Sequence, residues 1–210
     1  MQQRKITWAL ALAGIGLLSG CYPGGPEYID EYDLVYTDYS STVDFKAKNT
    51  YSLPDSVIKL SGDLVEGERP EMVSPVYANE ILGKIRDNMN SYGWTEVDAT
   101  ESPDVVILPS AIVVTNTSVY YPGYYWGWYY PYYGYGWYYP GYYPPTVTSY
   151  TTGSLFIQMT NPNEPGATDN IPVEWIAVFN GLLEGSTSGL VTRIDRAVDQ
   201  AFKQSPYLKQ

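Results

Sequence analysis

The sequence predicts an α+β domain: a mixed, mostly antiparallel sheet covered on one face by two helices, with a long aromatic loop between strands. Three observations predict it. Two segments repeat apolar residues at the helical period of 3.6, several others alternate or run apolar as strands do, and their order is strands, helix, strands, helix. At 210 residues and 44% hydrophobic content, the chain is long enough to bury one core and fits one main domain.

The first residues read as a targeting segment. Arg4 and Lys5 precede a 13-residue apolar run, Ile6 to Leu18. As a helix that run spans about 20 Å, short of a bilayer core of about 30 Å, so it fits a signal peptide better than a permanent span. It ends in Leu18-Ser19-Gly20-Cys21, which resembles the lipobox of bacterial lipoproteins. Residues 1–20 are therefore read as the signal peptide and Cys21, the chain's single cysteine, as the lipidated residue that ties the protein to a membrane. Residues 21–31, with Pro23, Gly24, Gly25 and Pro26 followed by Glu27, Asp30 and Glu31, read as a flexible acidic tether. Tyr22 in place of an Asp favours the outer membrane, facing the periplasm, by analogy with sorting in enteric bacteria. The acidic run leaves surface display as a second option.

The domain is read from residue 32 to 210. Residues 32–39 (YDLVYTDY) alternate as a strand, with Leu34 and Tyr36 on one face and Val35 and Thr37 on the other. Val43-Asp44-Phe45 reads as a turn and 50–53 as a second short strand, while 56–71, with two glycines, Pro70 and charges, reads as a surface loop. The first helix has Ser74 as N-cap, Pro75 at its first position and Gly93 past its end. Tyr77, Ala78, Ile81, Leu82, Ile85, Met89 and Tyr92 make its apolar stripe, and Glu80 and Lys84 an i,i+4 pair. A short strand at 94–97 and a buried strand at 105–114 follow, the second opened by Pro103-Asp104. Residues 147–160 and 171–183 read as long strands joined by the turn-rich stretch 161–166, and 189–204 as the closing helix, stopped by Ser205-Pro206.

Residues 120–145 consist only of thirteen Tyr, three Trp, five Gly and five Pro, in nine-residue units that begin at Tyr120, Tyr129 and Tyr138. No charge occurs from Val105 to Asn163. The block holds no aliphatic residue with which to build a core. Two readings stand side by side: a self-packed or solvated loop, and a binding surface in which Tyr124, Tyr125, Trp126, Trp128 and Trp137 offer flat area with polar tips.

Composition narrows the chemistry. The absence of histidine, with one cysteine, excludes an intrachain disulfide, His/Cys zinc sites, Ser-His-Asp and Cys-His nucleophiles and His-ligated haem. A net charge of −11 argues against nucleic acid, whose phosphates need a basic face. Gly185-Ser186-Thr187-Ser188-Gly189 is centred on Thr187 with no base available, and reads instead as a polar entry to the last helix with Ser186 or Ser188 as N-cap. Asp30, Glu31 and Asp33 lack the spacing of a calcium loop. No metal site, cofactor or catalytic residue is expected.

Several motifs together resemble the bacterial lipoproteins grouped as DUF4136, a domain of unknown function. They are Asp44-Phe45 with Asn49-Thr50-Tyr51-Ser52-Leu53, Gly93-Trp94 before Pro103-Asp104-Val105-Val106-Ile107, Tyr150-Thr151-Thr152-Gly153-Ser154-Leu155, Trp175 with Gly181, and the final helix with Ala197-Val198 and Pro206. Ser205-Pro206-Tyr207 departs from the aromatic-proline helix end usual in that family. The resemblance implies an α/β sandwich on an envelope lipoprotein and no known reaction. The expectation is a lipid-anchored envelope protein of non-enzymatic binding or structural role, which contacts envelope glycan or a protein partner through the aromatic insert. A carboxylate-dependent glycan hydrolase is the alternative. If Cys21 carries the lipid, Cys21→Ser should abolish labelling by a fatty-acid probe and leave precursor or soluble protein; labelling that persists on the variant contradicts the assignment.

Overall fold

A computed structural model describes residues 34–60, 70–112, 153–163, 173–183 and 188–210. Seven strands, β1 (Leu34–Tyr39), β2 (Thr50–Ser52), β3 (Ile58–Leu60), β4 (Thr95–Glu96), β5 (Val105–Ile112), β6 (Ser154–Thr160) and β7 (Val173–Asn180), form one open mixed sheet. Two helices, α1 (Pro75–Ser91) and α2 (Leu190–Gln204), complete an α+β fold. The strand order is β1-β7-β6-β5-β2-β4, with β3 also on β5. The pairs β1–β7, β7–β6 and β6–β5 are antiparallel, and β2 and β3 run parallel to β5.

β2 and β3 lie in tandem along one edge of β5. β2 pairs with Val105 and Val106, and β3 with Ser110 to Ile112. Pro109, which has no N–H to give, stands at the break between them, which reconciles a proline with a central strand. β3 falls inside the stretch expected to be a surface loop. Val57, Ile58 and Leu60 are buried there, and the backbone bonds from Lys59 N to Glu71 O (2.7 Å) and from Val73 N to Val57 O (2.8 Å) stitch it to the approach of α1. Three consecutive strand residues are too short a run for alternation to stand out against the surrounding glycines and charges.

Both helices lie on one face of the sheet. Val105, Ile107 and Ala111, Leu155, Ile157 and Met159, and Trp175, Ala177 and Phe179 pack there against Ala78, Ile81, Ile85 and Met89 of α1 and Ile194, Val198, Ala201 and Phe202 of α2. Alternate residues on the opposite face, Val106, Leu108, Ile112, Phe156, Ile176 and Val178, are buried as well. Such two-sided burial explains why β5 to β7 read as apolar runs rather than clean alternation. The Gln158 carboxamide and Ser110 hydroxyl, also buried on that face, find no hydrogen-bond partner among the described residues.

Three local expectations gain detail. Ser74 is the N-cap of α1 as expected, and its carbonyl accepts from Tyr77 and Ala78 while its side chain makes no capping hydrogen bond. The N-cap position of α2 is held by Gly189, at φ +80°, in place of the expected Ser188, and Ser186 lies outside the described residues. Lys84 reaches across to the neighbouring helix, where its Nζ meets Asp199 at 3.1 Å, and the Glu80 carboxyl lies beside Asp195 while still attracted by the Lys84 charge. Asn88 Nδ2 also donates to Asp199 at 2.8 Å. These contacts advance together along both helices, so α1 and α2 run parallel. No described helix is long and apolar enough to cross a membrane.

The carboxy-terminal residues close the helical layer. Trp175 Nε1 donates to Ser205 Oγ (2.8 Å), Trp94 Nε1 to Leu208 O (2.7 Å) and Gln210 N to Tyr92 O (2.8 Å). Gly93 is needed at that junction: it adopts φ +91°, and a Cβ there would lie 3.0 Å from Gln210 Cβ.

The Glu80–Asp195 contact makes stability depend on pH. The hydrogen bond with Asp195 leads in holding the Glu80 carboxyl above its ordinary range, followed by partial burial and the Asp195 charge. A raised carboxyl stabilises the fold below the ordinary glutamate range, and that contribution is lost as pH rises through the raised value. Glu80→Gln should therefore raise the Tm at neutral pH, with the gain shrinking in acid; an equal or lower Tm at neutral pH contradicts this.

Candidate functional site

The strand registers give the domain two ends. At one lie Leu34 opposite Asn180, Ile112 opposite Ser154, and Leu60 opposite Ile112. At the other lie Tyr39 opposite Trp175, Val106 opposite Thr160, and Tyr51 opposite Val105. Among the described residues, the second end carries a cleft of about 460 Å³ lined by Ser40, Thr42, Asp44, Lys48, Asp104, Asn161, Asn163 and Glu174.

Each polar group there is positioned by the start or end of an element. β1 ends at Ser40, whose N–H donates to Glu174 O at 2.9 Å. Asp44 caps the 3-10 turn Phe45–Ala47 by accepting from Lys46 N at 3.0 Å. Asp104, just before β5, accepts through one oxygen from Asn49 N (2.8 Å), Thr50 N (2.9 Å) and Thr50 Oγ1 (2.9 Å). Asn163, just past β6, donates through Nδ2 to Pro103 O (2.9 Å) and through N to Asn161 Oδ1 (2.9 Å). Glu174 on β7 meets Lys48 Nζ at 3.0 Å, with its side chain 4% exposed. Three carboxylates and one ammonium thus line the same cleft.

The Asp104 carboxyl sits below its ordinary range. Burial alone would push it up, but the Asn49 and Thr50 N–H groups, the Thr50 hydroxyl and the Lys48 charge outweigh burial. Beside the cleft, Tyr39 stacks on Tyr207 (centroids 3.9 Å apart), and Phe45 lies 5.8 Å from Tyr207.

Cys21, Tyr124, Tyr125, Trp126, Trp128 and Trp137 lie outside the described residues, as do Asp30, Glu31 and Asp33. The flanks of the aromatic insert are described: β5 ends at Ile112, and Gly153 N donates to Ile112 O at 2.7 Å just before β6. Sequence reasoning did not assemble the cleft, because its residues come from four separate chain segments. One signal was available. Glu174 is a lone acid within the otherwise apolar VEWIAVF run, and a buried charge in a strand needs a partner. Among the described residues no group of three or more His, Cys, Asp or Glu could hold a metal ion.

Asp104 ties the start of β2 to the start of β5, so Asp104→Ala leaves backbone donors without their acceptor and should cost about 1–3 kcal/mol at neutral pH. A lowered carboxyl contributes stability above the ordinary aspartate range, and that contribution fades as pH falls through the lowered value. Urea unfolding of variant and wild type should therefore converge as pH falls below the ordinary aspartate range; a deficit that stays the same size from neutral pH into acid contradicts the assignment.

Comparison with known proteins agrees with this architecture. The chain is similar to the crystal structure of a DUF4136 family protein from Bacteroides thetaiotaomicron, with 29% identity and a TM-score of 0.60 over 84% of this chain and 97% of that one. A PDZ domain protein from Parabacteroides distasonis is also similar, at 16% identity and a TM-score of 0.45, over 85% of this chain and 36% of that one. No curated protein matches. The sequence profile of the domain of unknown function DUF4136 matches residues 35–207, and the chain belongs to that family.

Proposed function

We propose that the protein is a lipid-anchored component of the bacterial envelope that binds, without transforming it, a segment of envelope glycan in the cleft. The anchor is the lipid on Cys21, and the periplasmic face of the outer membrane is the site of action. The cleft lining carries the ligand assignment. Asp44, Asp104, Glu174, Asn161 and Asn163 each carry a planar group with two polar atoms, one of which the fold already uses, and Lys48 adds a charged donor paired with Glu174. Paired planar groups match adjacent sugar hydroxyls, and three carboxylates against one ammonium favour a neutral or amine-bearing sugar over an acidic one. The volume falls within the range of about 300–1,000 Å³ usual for small-molecule sites.

Binding is favoured over hydrolysis by the state of the carboxylates. A glycosidase pair needs one carboxyl that keeps its proton near neutral pH. Asp104 is instead held ionised by its donors, and Glu174 is ion-paired with Lys48.

Calorimetric titration with N-acetylated amino-sugar oligosaccharides from cell wall tests the reading. Saturable binding is expected, weakened about tenfold by Asp44→Ala combined with Asn163→Ala, the loss of roughly one to two hydrogen bonds. Absence of binding, affinity unchanged in the double variant, or shortening of the oligosaccharide during incubation contradicts it.

A further inference from the structure

We infer that the cleft takes an amino sugar whose amine is not acetylated, so that the ligand's ammonium meets Asp44 and Asp104 while a neighbouring hydroxyl accepts from Asn161. The inference rests on the sugar-binding reading above and deepens it by naming which sugar.

The lining atoms that the fold leaves over define the ligand. Glu174 and Lys48 neutralise each other at 3.0 Å. Asp104 uses Oδ2 for Asn49 N, Thr50 N and Thr50 Oγ1, and its Oδ1 makes no hydrogen bond among the described residues. Asp44 uses Oδ1 for Lys46 N, and its Oδ2 likewise makes none. Lys46, two residues on, gives its ammonium to Lys209 O instead. With the Lys48–Glu174 pair neutral, two carboxylates of the lining have no cation of their own among the described residues.

Asn161 points to a ligand independently. It is 4% exposed yet lines the cleft, and Asn163 N donates to its Oδ1, which fixes Nδ2 as the remaining donor. That donor has no acceptor among the described residues, although buried polar groups are usually paired.

Two carboxylates beside an amide N–H suit a cation that carries a hydrogen-bond acceptor next to it. A metal ion fits poorly, because no group of three or more His, Cys, Asp or Glu among the described residues could hold one, and an N–H donor repels a cation. An ammonium meets the carboxylates by charge-assisted hydrogen bonds, which are about twice as strong as neutral ones. In a 2-amino sugar it stands between hydroxyls on the adjacent carbons. Acetylation removes the charge and all but one of the N–H donors.

Calorimetry on the full-length chain tests the preference with a glucosamine tetrasaccharide and its N-acetylated counterpart, in mildly acidic buffer where the sugar amine is protonated. The amine form should bind about tenfold tighter at low salt, and screening in about 0.5 M salt should cut that advantage to about threefold. Asp44→Asn with Asp104→Asn keeps an oxygen for every donor that the fold satisfies, and should bring the two affinities within about twofold of each other. Asp44→Asn alone, at an exposed turn, should reduce the advantage to about threefold, so the test does not depend on the folding of the double variant. Asn161→Ala should weaken both sugars about fivefold, the loss of one hydrogen bond. Equal affinity for the two sugars, a preference that survives the Asp→Asn changes, or an Asn161→Ala variant that binds as the wild type does overturns the inference and leaves sugar binding standing. Binding of neither sugar overturns both.

Discussion

The antiparallel ladder β5–β6–β7–β1 is the constraint on which the rest of the structure depends. Each strand reverses the one before it, so residues far apart in sequence are brought to a common end by backbone hydrogen bonds alone. Ile112, Ser154, Asn180 and Leu34 share one end; Asp104, Asn161, Glu174 and Ser40 share the other. A slip of one residue in β6 would exchange Leu155, Ile157 and Met159 for Phe156, Gln158 and Thr160 beneath the helices. Burial of both faces penalises that exchange on each side.

The helical layer then fixes the sheet from one side, and its polar groups are satisfied at the cleft end. Trp94 and Trp175 bury large rings, and their N–H groups find Leu208 O and Ser205 Oγ. Tyr92 reaches Phe202 O at 2.7 Å, and Lys46 donates to Lys209 O, so the carboxy-terminal residues bind both helices and the 3-10 turn beside the cleft. The cleft therefore rests on the best-secured part of the domain. The helix starts at the opposite end carry no side-chain caps and expose Val76 and Val191.

The architecture was legible in the sequence wherever a period ran long enough. α1 spans 17 residues with a clear stripe, α2 spans 15, and the alternations of β6 and β7 assigned Leu155, Ile157, Met159, Trp175, Ala177 and Phe179 to a common face, where they lie. What escaped was short or nonlocal. β3 has three residues among loop-like neighbours, and Lys84 prefers Asp199, 115 residues away, over the nearby Glu80. The cleft was illegible for the same reason: Asp44, Asp104, Asn163 and Glu174 are each ordinary at a turn or strand end and acquire meaning only through the registers that assemble them. The proposed anchor and the aromatic insert were read from composition and motif, which give chemistry but no place in the fold.

The proposed tether enters the domain at Leu34, at the end opposite the cleft, so the two ends should stand at different distances from the membrane. Cys21 is the chain's only cysteine and is consumed by the lipid in this account, so one introduced thiol can be labelled alone. A fluorophore at Val191→Cys or at Asn163→Cys, on protein held to vesicles that carry an acceptor lipid, reports how far each end stands from the bilayer. Markedly stronger energy transfer is expected from position 191 than from position 163. Equal transfer from the two positions, or stronger transfer from 163, would contradict it.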